Sequence, residues 1–105
     1  MNEIIAETEI FAVSAKGEKQ RLRVAVGRPY CVDDVSWACP VQLEGLHNNL
    51  CDAVGVDSWQ AAALVVGLIR QLLGYYVEDS GKLYCAEGGE EITLNDLFPQ
   101  LKTSS

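Results

Sequence analysis

Asp57-Ser58-Trp59-Gln60-Ala61-Ala62-Ala63-Leu64-Val65-Val66-Gly67-Leu68-Ile69-Arg70-Gln71-Leu72-Leu73-Gly74-Tyr75-Tyr76-Val77 is the stretch on which the fold turns. It is long and apolar enough to be a central helix. Asp57 has the position and chemistry of an N-cap, since a carboxylate there accepts from free N–H groups of the first turn, and Gln60 completes a capping-box spacing. A negative group at that end also suits the helix dipole. Between Ala61 and Leu73 the only polar side chains are Arg70 and Gln71. The run reads as too short and too interrupted for the ~20 apolar residues of a membrane span. The expectation is a helix buried on most of its circumference.

Its faces differ in bulk. Leu64, Leu68, Gln71 and Tyr75 follow one ridge, and Val65, Ile69, Leu72 and Tyr76 the next. Opposite them Ala63, Gly67, Arg70 and Gly74 form a thin stripe. A glycine inside a helix costs about 1 kcal/mol relative to alanine, so Gly67 points to another backbone lying close. The stripe either faces solvent or a loop, or makes a helix–helix contact across a homodimer axis. With Trp59 in the first turn, where a large ring covers a core edge or meets a partner, these residues form a candidate interaction surface.

Outward from the helix, the 105 residues are the size of one domain with one core. Ile4 to Ala15 and Gln20 to Tyr30 read as two strands joined by Lys16-Gly17-Glu18, a loop of hairpin length. Leu22, Val24 and Val26 share a face, and Arg21 and Arg23 the other; Ala6, Thr8, Ile10 and Ala12 are in phase against Glu7 and Glu9. Pairing even with even brings acids and arginines together. Phe11 and Val13 fall on the polar side, so that face is part covered or the strand carries a bulge. A third strand runs from about Val35 to Leu43, with Val35, Trp37, Cys39, Val41 and Leu43 on one face and Pro40 marking a free edge. Gly45 to Val56 reads as a loop with one helical turn. After the helix, Glu78 to Gly81 is a stop and turn, and Lys82 to Ala86 a short strand. Thr93, with Asp96 three residues on, opens a short helix that Leu94, Leu97, Phe98 and Leu101 dock. Lys102 to Ser105 read as a frayed tail. The fold class expected is α+β: an antiparallel sheet of three or four strands in meander order, packed on one long helix, with a short C-terminal helix.

Trp37-Ala38-Cys39-Pro40, Gly55-Val56-Asp57-Ser58-Trp59-Gln60-Ala61 and Gly81-Lys82-Leu83-Tyr84, in that order along the chain, resemble a family of small uncharacterised bacterial proteins, a domain of unknown function. The resemblance implies a bacterial origin and carries over no catalytic residue.

The candidate chemistries are few. His47 is the sole histidine, and Cys51 stands four residues away, with Cys39 and Cys31 earlier. Zinc takes four converging ligands, usually from tight paired spacings, and these cysteines lack that spacing. A Cys–His nucleophile pair needs a group to orient the imidazole and donors for the oxyanion, which the sequence does not mark. A small enzyme or ligand site built on Cys39, His47 and Cys51 is the alternative reading. Asp33-Asp34 with Glu44 or Asp52 is a candidate for a divalent cation, but the segment reads as a solvated turn, since it lacks the alternating oxygen ligands and central glycine of a cation loop. Gly88-Gly89 is followed by Glu90-Glu91, which would repel a phosphate. No cofactor and no metal are expected. The net charge of −7 argues against a nucleic-acid binder and is compatible with a basic protein partner. Met1-Asn2-Glu3 lacks the basic start and apolar block of a secretion signal, so reduced thiols in the cytoplasm are expected. The leading expectation is a small non-enzymatic binding protein with an acidic surface, of antagonist or immunity type. A structural homodimer subunit is the third reading.

Overall fold

The stretch from Asp57 forms helix α1, Ser58–Glu78, in a computed structural model that describes residues 3–101. Asp57 is its N-cap, and its carboxylate accepts from the Gln60 amide at 2.7 Å. The Gln60 side chain reaches back one residue further than a capping box requires, accepting from the Val56 amide at 2.8 Å. At the other end the Gly81 amide donates to Tyr76 and the Ser80 amide to Val77, a Schellman closure. Ser80, at φ 71, takes the left-handed position that glycine usually fills.

Preceding α1 are β1 (Ile4–Val13), β2 (Lys19–Gly27), β3 (Tyr30–Cys31), β4 (Trp37–Cys39), β5 (Val41–Glu44) and β6 (Ala53–Gly55). After it come β7 (Lys82–Tyr84), β8 (Glu91–Ile92) and helix α2 (Leu94–Leu97). The strands form two antiparallel sheets, one ordered β5-β2-β1-β7-β8 and the other β3-β4-β6. The fold is α+β with an antiparallel sheet, one long helix and a short C-terminal one. The single sheet of three or four strands is corrected to five plus three.

The correction comes from three places. Pro40 divides the expected third strand: Trp37–Cys39 pairs within the small sheet, and Val41–Glu44 pairs with β2 in the large one. Proline lacks the amide to continue a ladder, so the chain changes partners there. Val35, placed on the core face by alternation, lies outside the strand and is exposed. Within Gly45–Val56 the expected helical turn is instead a strand, β6, pairing Ala53, Val54 and Gly55 with Cys39, Ala38 and Trp37. Finally β8, a short strand between Gly88-Gly89 and α2, extends the sheet beyond β7.

The first hairpin forms in the expected register, Thr8 opposite Val24, Glu9 opposite Arg23 and Ile10 opposite Leu22. Gly17 takes φ +83 in its loop. Arg23 bonds diagonally to Glu7 at 2.5 Å on the polar face. Phe11, on that same face, is buried between its neighbours Arg21 and Tyr84. The strand irregularity lies earlier, between Ile4 and Ala6.

Helix α1 is not buried on most of its circumference. Only Ala61, Val65, Ile69 and Leu73 are fully buried, one residue every four, and they join Ile10, Leu22, Cys39, Leu43 and Leu83 in the core. Leu64, Val66, Tyr75 and Val77 are exposed. Ala63, Gly67 and Arg70 of the thin stripe face outward too: a Cβ on Gly67 would meet nothing within 4 Å, so no neighbouring backbone explains that glycine. The close approach is at Gly55, where a Cβ would stand 2.8 Å from the Ala61 nitrogen. Length and composition also differ from expectation. The 21-residue helix, with mean hydropathy 1.3 over its most apolar window and 22% of that window buried, is long and apolar enough to cross a membrane by those criteria alone.

Thr93 caps α2 in a complete capping box with Asp96. Leu94, Leu97 and Phe98 pack on the core, whereas Leu101 is exposed and docks nothing. The tail from Lys102 lies outside the described residues.

Two substitutions in α1 should separate its buried and exposed faces. Ile69→Ala is expected to lower unfolding free energy by about 2–5 kcal/mol. Gly67→Ala is expected to raise it by about 0.5–1 kcal/mol, because the added methyl enters open space in a helix. Urea unfolding of both chains measures the contrast.

Candidate binding site

Where Pro40 carries the chain from one sheet to the other, a groove of about 840 Å³ opens between them. Its lining includes the aromatic rings of Tyr30 and Trp37, the carboxylates of Glu44 and Asp52, the amide of Gln42 and the imidazole of His47. The strands explain the arrangement. Gln42 and Glu44 alternate with the core residues Val41 and Leu43 along β5, so they leave the core side. Tyr30 stands on the edge strand of the small sheet opposite Ala38, and its hydroxyl donates to Asp52 at 2.5 Å. That bond raises the phenol above its ordinary pKa. Arg28 also lines the groove and is paired with Glu3 at 3.2 Å. The Gln42 Oε1 atom is buried and accepts no hydrogen bond.

Beside the groove lies the outer face of the small sheet. Tyr30, Ala38 and Val54 are register neighbours across its three strands, and Val32 and Val56 follow two residues on with the same parity. The opposite face, with Cys39 and Gly55, packs on α1. Ala38 is buried, but Val54 is 59% exposed and Val56 67%. At the same end of the sheet Val35 is 75% exposed and Trp59 82%. Such bulk in water is informative when it is contiguous. Asp33, Asp34, Asp52 and Asp57 punctuate these residues along the chain, and all four are exposed. The Asp33 carboxylate accepts from the Val35 amide at 2.9 Å and the Ser36 hydroxyl at 2.6 Å. The turn it makes carries Val35 outward. The Ser36 hydroxyl first, and the Val35 amide second, hold this carboxyl below its usual range.

The residues singled out from sequence fall elsewhere. Trp59 is exposed in the first turn of α1, beyond the end of β6 rather than on the sheet face itself. Ala63, Gly67 and Arg70 lie along the exposed side of α1, with the Arg70 guanidinium 5.8 Å from the centre of the Phe98 ring, while Gly74 is half-buried near Leu94. Cys39, His47 and Cys51 do not form a constellation. Cys39 is buried, its thiol donating to the Gly27 carbonyl at 3.4 Å; His47 and Cys51 are exposed. Among the described residues no hydrogen bond joins His47 to a thiol, and no group of three or more His, Cys, Asp or Glu is placed to hold a metal. Burial, and then the Asp52 charge, raise the Cys39 thiol, which keeps it protonated and a poor nucleophile.

Sequence reasoning missed Tyr30, Val54 and Val56, and weighed Asp52 and Glu44 only as cation ligands. One signal was available: no lysine or arginine occurs between Arg28 and Arg70, while Asp33, Asp34, Glu44, Asp52 and Asp57 do. The small sheet, and all of the groove's lining except Glu3 and Arg28, are drawn from that interval.

Residues 8–95 match a family described as a domain of unknown function (DUF6968), and the chain belongs to it. No curated protein and no solved structure matches the chain. The matched span contains the small sheet and nearly all of the groove.

A thiol reagent applied to the native chain is expected to modify Cys31, Cys51 and Cys85, and to reach Cys39 only on unfolding; peptide mapping after quenching reads the sites. The Asp33 turn has its own signature. Because folding depresses this pKa below the ordinary 3.8, its stabilisation is present above that value and is lost as pH falls through the lower folded value. An NMR titration should place the Asp33 midpoint below 3.8, and Ser36→Ala should move it upward.

Proposed function

We propose that this chain is a non-enzymatic binding protein whose outer small-sheet face covers a basic protein partner. The carrying observation is the exposure of Val32, Val35, Val54 and Val56, with the exposed Trp59 in the first turn of α1 beyond the end of the sheet, interspersed along the chain with Asp33, Asp34, Asp52 and Asp57. Apolar centres with a charged surround are the usual anatomy of an interface, the centre supplying affinity and the charges supplying orientation and partner choice. The absence of any lysine or arginine between Arg28 and Arg70 gives the face one sign, and the net charge of −7 extends that field over the molecule. Trp59 is the anchor, since indole side chains carry a large share of binding energy at interface centres. An antagonist or immunity-type role, in which the acidic face shields a basic partner, is the specific version of this reading.

Capture from the native host, run in parallel with surface variants, tests it. Wild type is expected to retain a basic protein at low salt and release much of it at high salt. Val54→Ser with Trp59→Ser should abolish retention, and Asp33→Asn with Asp34→Asn and Asp57→Asn should weaken it by about tenfold or more. Arg23→Ala, on the polar face of the large sheet, should leave it intact. Retention indifferent to salt and to every substitution on this face would overturn the proposal.

A further inference from the structure

The groove poses a separate question, because its chemistry is not that of the apolar face beside it. Three carboxylates line it, from Glu3, Glu44 and Asp52, against one arginine that is already paired with Glu3. Tyr30 and Trp37 offer aromatic surface in the same space. The volume of about 840 Å³ lies within the range of small-molecule sites. Surplus acceptors select a ligand rich in donors, negative walls select a cation, and aromatic faces favour one carried on an apolar stem.

We infer that the groove between the two sheets binds an organic ammonium or guanidinium group, through the Glu44 and Asp52 carboxylates and the Tyr30 and Trp37 rings. The cation comes either from a free small amine or from a lysine or arginine side chain of a docked protein. The inference does not depend on the docking of a partner to the outer sheet face.

The full chain carrying Trp59→Phe leaves Trp37 as the only tryptophan, and its fluorescence reports on the groove. Butylamine, agmatine and N-acetyl-lysine methylamide are titrated, with butanol and butyrate as neutral and anionic controls. The cations are expected to give a saturable change and the controls none. Asp52→Asn combined with Glu44→Gln should weaken cation binding by about tenfold or more. Agmatine or butylamine binding more tightly than the blocked lysine identifies a free amine as the source; the reverse order identifies a partner's side chain. Val54→Ser should leave amine binding intact, so failure of the docking face and failure of the groove are read separately. No saturable response to any cation, or an equal response to butanol, overturns the inference, as does unaltered cation affinity in the chain carrying Asp52→Asn and Glu44→Gln.

Discussion

The buried stripe Ala61, Val65, Ile69 and Leu73 is the constraint on which the molecule depends, because both sheets pack against it. Helix α1 meets β4 and β6 of the small sheet and β2 and β7 of the large one. Neither sheet has a second layer of its own, and small antiparallel sheets need an apolar face covered to persist. The helix supplies that cover with one residue per turn. The small side chain of Ala61 and the absent one of Gly55 let the first turn sit close on the short strands; larger residues then fill the space above the large sheet. The wall of the groove and the outer apolar face are both set by this shared support.

The same economy explains what is left exposed. A helix docked through one narrow stripe leaves the rest of its circumference outward, here unusually apolar. The small sheet is covered by α1 on one side only. Its other side therefore presents Val54 and Val56 to solvent, with Val35 and Trp59 at the end nearest the helix entry. Polar chemistry is distributed differently. On the large sheet, arginines and glutamates pair across strands; around the small sheet and groove, acids stand with no nearby lysine or arginine in sequence except the paired Arg28. The surface thus divides into a region where opposite charges meet across strands and a region rich in acids.

Much of the fold was legible because its signals are local. Asp57 as N-cap needs only an adjacent free amide, and Thr93 with Asp96 needs only a three-residue spacing. The first hairpin follows from alternation and one glycine loop. Where the sequence misled, two local rules competed. Alternation carried Val35 to Leu43 as one strand, while Pro40 within it marked a break between partners. Asn48-Asn49 and Gly55 advertised a loop, and outweighed the brief alternation of Ala53 to Val56. The candidate site was least legible, since Tyr30, Trp37, Gln42 and Asp52 come from separate elements and meet only after the sheets are placed.

By itself the sequence determined an α+β chain with a capped long helix, an antiparallel hairpin and an acidic surface, because caps, turns and alternation act between residues a few positions apart. Tertiary structure alone decided that the strands divide into two sheets, that only one stripe of the helix is buried, and that a groove and an exposed apolar face lie side by side. Those outcomes depend on which apolar surfaces compete for the same cover, and that competition is settled only when distant segments are packed together.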